Sequence, residues 1–149
     1  MEKGMKLLVI DIQKGITDSR LFNFDEFIEN TTRIIQAARD NQIEVIYFQH
    51  DDGPGTGFSI GDEDFEIAEQ VIPKEGEKIF IKNINSCFGN KDFTDYVKDD
   101  NTLVIVGLQT NFSRHKRLCR GYVFCTIWIY HYVRMVSHND NRNDSASKK

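Results

Sequence analysis

Neither apolar stretch of this chain is long enough to cross a membrane. The opening MEKGMKLLVIDIQ offers a short run that meets Asp11 at once, which does not fit the apolar region and cleavage site of a signal peptide. The later stretch, 122–136, is short and interrupted by His131 and Arg134. The expectation is a cytoplasmic protein with no membrane partner. Cysteine is scarce: Cys87, Cys119 and Cys125 have no metal-ligand spacing, and an odd count speaks against a secreted disulfide framework, so reduced thiols are expected. Ten glycines among 149 residues, with 40% hydrophobic and 28% charged, exclude collagen-like, coiled-coil and wholly disordered chains.

What is present is enough residues for one domain with a real core, and too few for two of ordinary size. The net charge of −4 hides an asymmetry. Residues 1–113 carry 11 basic and 21 acidic side chains, whereas 114–149 carry 8 and 2. A shift of this size inside a small protein marks either a basic interaction tail or a segment not selected together with the rest.

The first 113 residues alternate between two periodicities. KLLVIDI (6–12) is a nearly unbroken apolar run, as in a strand buried on both faces of a parallel sheet, with Asp11 at its C-terminal edge. Phe24, Phe27, Ile28, Thr31, Ile34, Ile35 and Ala38 then recur at helical spacing, and Asn23 with Glu26 three residues on reads as a capping box. EVIYFQH (44–50) is a second buried strand, which makes a right-handed βαβ unit the expected connection. Residues 51–61, with four glycines and Pro54, are expected to form an exposed, mobile loop able to act as a lid. KIFIKN (78–83) reads as a third strand, DFTDYVKDD (92–100) as a short helix, and TLVIVGLQT (102–110) as a fourth strand ending in Gly107. In open α/β sheets ligands bind beyond the carboxyl ends of the strands. Those ends carry Asp11, His50, Lys82 and the 107–113 turn.

Three of these pieces, LLVIDIQKGI around Asp11, FIKNINSCFGN around Lys82 and VGLQTNFS ending at Ser113, together resemble the isochorismatase-like (cysteine hydrolase) family. Its pattern is an aspartate after the first strand, a lysine after the third, and a G-x-x-T-x-x-C turn after the fourth. The resemblance covers residues 5–113 and implies a doubly wound, three-layer α/β/α fold with a mainly parallel sheet, its C-terminal part incomplete. It implies hydrolysis of a C–N bond in a small amide, ureido or carbamoyl compound; no cofactor and no metal are expected. Asp11 would be the base, Lys82 the cation favouring the anionic nucleophile, and Ser113 would stand at the nucleophile's position. His50 and Gln109 would contact the substrate. Backbone N–H groups at the turn would form the oxyanion site, with a non-proline cis peptide near Leu108 and Gln109. Homo-oligomers are common in the family.

The chemistry is sound on first principles, because a thiol becomes a nucleophile only as the thiolate, which a nearby carboxylate and cation promote. Each residue also has a plainer role open to it. Asp11 is placed to cap a helix, Lys82 to sit at the surface, and His50 to serve as a hydrogen-bonded structural histidine. Cys87, five residues after Lys82, fits a small buried hydrophobe. Asp51 and Asp52 follow His50 in the region where nicotinamidase-type relatives hold a metal, but the D-x-H spacing is absent.

Ser113 is the departure. A serine hydroxyl is far less acidic than a thiol and usually needs a histidine-type base, so an impaired enzyme is expected. Its hydroxyl is equally suited to capping the following turn. Two alternatives remain open: a vinyl-ether hydrolase of the isochorismate type, for which the resemblance implies that the cysteine is dispensable, and a catalytically silent binding protein. Beyond Ser113 the helical period stops. Residues 114–149 are expected to form an atypical, poorly ordered basic tail, with 122–136 an extra edge strand or an aggregation-prone segment. Arg114, Lys116, Arg117 and Arg120 accompany no nucleic-acid module, so no nucleic-acid partner is expected. A truncated member of the family, or a slip of reading frame near residue 112, would account for the abrupt change.

Overall fold

The computed structural model describes residues 4–21, 23–99 and 102–108, together with the backbone of residues 128–131. Among the described residues five strands form one sheet: β1 (Met5–Ile10), β2 (Glu44–His50), β3 (Lys78–Lys82), β4 (Thr102–Gly107) and β5 (Trp128–His131). Their spatial order is β3-β2-β1-β4-β5, with the first four parallel and β5 antiparallel to β4. The expected parallel sheet is present, and part of the 122–136 stretch supplies an antiparallel edge strand.

Period-two packing between two cores explains why β1, β2 and β4 are largely apolar. Leu7, Val9, Val45, Tyr47 and Val106 face one core, together with Phe27, Ile35 and Ala38 of helix α1 (Phe24–Asp40). Their neighbours Leu8, Ile46, Phe48 and Leu103 face a second core with Phe93 and Val97 of helix α2 (Lys91–Val97). A helix therefore covers each face, giving three layers. Phe93 is fully buried and meets Phe48 edge to face, with ring centroids 4.7 Å apart.

The start of α1 differs from the capping box. Asn23 takes a left-handed conformation (φ 51°), and its side chain caps no backbone N–H. Its amide instead donates to the Glu26 carboxylate at 3.0 Å. The capping pattern assumes an extended backbone at the N-cap, and the left-handed conformation of Asn23 departs from it. The glycine-rich segment is exposed, as expected, and it is also tied down. The N–H of Asp51 donates to the Lys82 carbonyl at 2.8 Å and that of Asp52 to the Phe58 carbonyl at 3.0 Å.

The chain runs outward from β1 through β2 to β3, then returns to place β4 on the other side of β1. This reversal sets a topological switch point between β1 and β4, where sheets of this kind bind ligands. Among the described residues no helix is long and apolar enough to cross a membrane.

Candidate active site

Asp11 follows the last residue of β1, at the switch point. It is buried and takes a left-handed conformation (φ 57°), uncommon for any residue but glycine and best tolerated by Asn and Asp. Its N–H donates to the Phe48 carbonyl at 3.1 Å, fixing the turn against β2. Gly107 ends β4 beside Ile10 of β1. A Cβ there would stand 2.1 Å from the Ile10 carbonyl oxygen, so the close approach of the two strands next to Asp11 requires glycine.

Lys82 ends β3, and the parallel register sets it opposite His50 at the end of β2. Its side chain is only 2% exposed and its ammonium donates to Asp11 Oδ2 at 2.8 Å. The same ammonium lies 3.2 Å from His50 Nδ1. Lys82 is therefore not a surface lysine, and Asp11 serves this pair rather than a helix cap. The other carboxylate oxygen, Asp11 Oδ1, is buried with no hydrogen-bond partner among the described residues. Burial pushes the Asp11 carboxyl above the ordinary carboxylate range, and the hydrogen bond and charge of Lys82, with the weaker pull of His50, offset this only in part.

The two nitrogens of the His50 ring are both engaged, Nδ1 with Lys82 and Nε2 with Asp52 Oδ1 at 3.0 Å. Cys87 is buried, and desolvation pushes its thiol up to about 11, the state of an inert thiol. Among the described residues no group of three or more His, Cys, Asp or Glu side chains is placed to hold a metal ion.

Asp11, Lys82 and His50 thus come together, as the strand ends suggested. Gln109, Ser113, Cys119 and Cys125 lie outside the described residues, as does the position foreseen for the cis peptide; among the described residues every peptide is trans. Sequence reading passed over Gln13. It is fully buried, accepts from the His50 N–H at 2.8 Å through Oε1, and donates to the carbonyls of His50 at 3.0 Å and Phe65 at 2.8 Å. A glutamine three residues past a strand carries no signal of its own, because its role is set by a chain segment 37 residues away.

Comparison with known proteins fits this geometry. The isochorismatase domain profile matches residues 6–120. The isochorismatase family protein YrdC of Bacillus subtilis (strain 168) is 34% identical over 115 residues, 74% of this chain and 62% of its own length. The chain thus spans about three-fifths of that relative. The crystal structure of a cysteine hydrolase from Pseudomonas syringae pv. phaseolicola 1448A superposes with TM-score 0.62 at 23% identity, covering 69% of this chain and 58% of the other. That of N-carbamoylsarcosine amidase from Thermoplasma acidophilum gives TM-score 0.59 at 22% identity, over 70% and 68%. These two likenesses concern the fold.

Proposed function

The chain belongs to the isochorismatase family, and on that premise we propose that it is a hydrolase for a C–N bond in a small amide, ureido or carbamoyl compound, slowed by the serine at its nucleophile position. The observation that carries this reading is the buried Lys82–Asp11 pair, 2.8 Å apart, with Asp11 Oδ1 left without a partner among the described residues. A charge pair buried at a strand-end switch point costs stability to desolvate, and a carboxylate oxygen left open there is suited to taking a proton.

Asp11 Oδ1 accepts the proton of the residue at position 113 as its oxygen or sulfur attacks the carbonyl carbon. The Lys82 charge favours the anion that forms. Asp11 then returns the proton to the leaving nitrogen, and water cleaves the resulting ester or thioester. Burial helps, because a carboxylate of raised pKa is a stronger base. For a thiol this base is adequate, whereas a serine hydroxyl lies much further from it in acidity.

The test is release of ammonia or amine from a panel of small amides, ureides and carbamoyl compounds by the whole chain and by Ser113→Cys. The cysteine variant is expected to raise the rate by orders of magnitude, and adding Asp11→Asn should lower it again by about 10²–10⁴. Turnover of isochorismate by the unaltered chain, with no amide hydrolysis in either form, would replace this reading with the vinyl-ether one. Ligand binding without turnover in any form would make the protein a silent binder.

A further inference from the structure

We propose that His50, held by Asp52 as its Nε2–H tautomer, is a positioning residue that aims the Lys82 ammonium at Asp11. An ammonium carries donors only, so the ring nitrogen 3.2 Å from Lys82 Nζ must present its lone pair. That places the ring proton on Nε2, 3.0 Å from Asp52 Oδ1, and a carboxylate is an acceptor. The opposite tautomer would set N–H against N–H at Lys82 and leave two acceptors facing each other at Asp52. A protonated ring would add a second cation beside the ammonium. Only one of the three forms satisfies both contacts.

The rest of the surroundings hold the ring where this matters. Gln13 clamps the His50 backbone on both its N–H and its carbonyl. The Asp51 N–H on the Lys82 carbonyl carries the loop bearing Asp52 back onto the end of β3. A lysine side chain has four rotatable carbons and many rotamers, so one hydrogen bond to Asp11 does not fix its head. Two acceptors, Asp11 Oδ2 and His50 Nδ1, define its direction. Asp52 is half exposed and meets the ring at Nε2, whereas Lys82 meets it at Nδ1. The charged groups that touch the ring or interact with it electrostatically include Lys82, Asp52, Asp11 and Asp51.

Two readouts on the full chain test this without any substrate. Long-range ¹H–¹⁵N spectra at about pH 8, where an ordinary histidine is neutral, are expected to show His50 with Nδ1 bare and Nε2 protonated. An Nδ1–H tautomer or an even mixture would overturn the proposal. The Lys82 ammonium, buried and twice hydrogen-bonded, is expected to give a slowly exchanging ¹⁵Nζ signal. That signal should be lost in His50→Ala and return in His50→Asn, whose amide oxygen reaches the place of Nδ1. An unchanged ammonium signal in His50→Ala would overturn the proposal. Should the alanine variant fail to fold, the tautomer of the unaltered chain still decides.

An activity arm rests on the proposed amide hydrolysis and uses the Ser113→Cys background. There His50→Ala and Asp52→Ala are expected to lower kcat on the order of tenfold to a hundredfold with KM little moved, as misaimed groups do. His50→Asn and Asp52→Asn should each recover part of the loss. Loss in KM alone would mark His50 as a substrate contact and overturn the positioning role. Absence of turnover in every form would count against the proposed hydrolysis, while the two spectroscopic readouts still decide this inference.

Discussion

Ionising Asp11 works against the fold. Its folded pKa is raised, so the folded state holds the proton more tightly than the unfolded chain does, and stability is lost as pH rises from the ordinary aspartate range through the raised value. Lys82 limits that loss, since its hydrogen bond and charge pull the carboxyl back down. In Lys82→Met the loss is expected to grow and to extend to higher pH. Urea midpoints taken from about pH 4 to about pH 8, spanning the carboxylate and histidine ranges, should separate steadily from those of the unaltered chain. A constant gap across the series would mean that Lys82 does not hold the Asp11 carboxyl down. Cys87 gives an independent check on burial in the same region: with its thiol at about 11, roughly a thousandth is ionised at pH 8. Iodoacetamide should leave Cys87 untouched in the native chain and alkylate it in urea, as peptide mapping would read out. Prompt native labelling of Cys87 would contradict its placement. Asp11, Lys82 and His50 were legible in sequence because each follows an apolar run, and strand ends converge by rule. Gln13, and the role of Asp52 toward His50, were not, because both depend on which atoms a folded loop brings within 3 Å, and local pattern carries no such information.

Elements were legible where one period dominates. β1, β2 and β4 sit between two cores, so almost every residue is apolar and the runs stand out. β3 keeps a strand pattern at the sheet's edge, where Ile79 and Ile81 face outward and are exposed. The entry to α1 was misread for a local reason: the capping box presumes an extended N-cap, and Asn23 is left-handed. The order of strands is a property of crossings, and single-strand patterns do not contain it. One tertiary tie between elements makes a further prediction. Arg39, in the last turn of α1, donates through Nε and Nη2 to the two carboxylate oxygens of Glu77, both at 2.8 Å, and Glu77 immediately precedes β3. Burial alone would raise the Glu77 pKa, but the hydrogen bonds from Arg39 and the Lys74 N–H, with the charges of both residues, hold it below the ordinary range. A lowered folded pKa adds stability that is present above the ordinary glutamate range and lost as pH falls through it. Arg39→Met is expected to cost about 1–3 kcal/mol near neutrality, as for a hydrogen bond between charged groups that leaves a partner unsatisfied. It should also flatten the acid side of the stability curve. Equal losses at neutral pH and well below the glutamate range would show that the pair acts through packing alone.

Across the whole molecule the site draws on strands of unequal protection. Asp11 hangs from β1, paired with β2 and β4 on its two sides, while Lys82 hangs from β3, which among the described residues is an end strand paired with β2 alone. Local opening follows contact and pairing, so edge elements exchange through smaller excursions than central ones. Native-state hydrogen exchange is therefore expected to rank β1 slowest, β2 and β4 close behind, and β3 and β5, at the two ends of the strand order, fastest. The half of the charge pair bearing Lys82 is then the half that moves. Its side-chain links to the more central strands at this end of the sheet are the salt bridge to Asp11 and the contact with His50, beside the backbone hydrogen bond from the Asp51 N–H. Asp11→Asn, which removes the charge and keeps the shape, should speed exchange in β3 and the 51–61 loop pinned to it, and leave β1 nearly as slow as before. Uniform acceleration across all five strands would instead mean that the pair supports global stability, and the separation of a fixed base on β1 from a movable cation on β3 would fail.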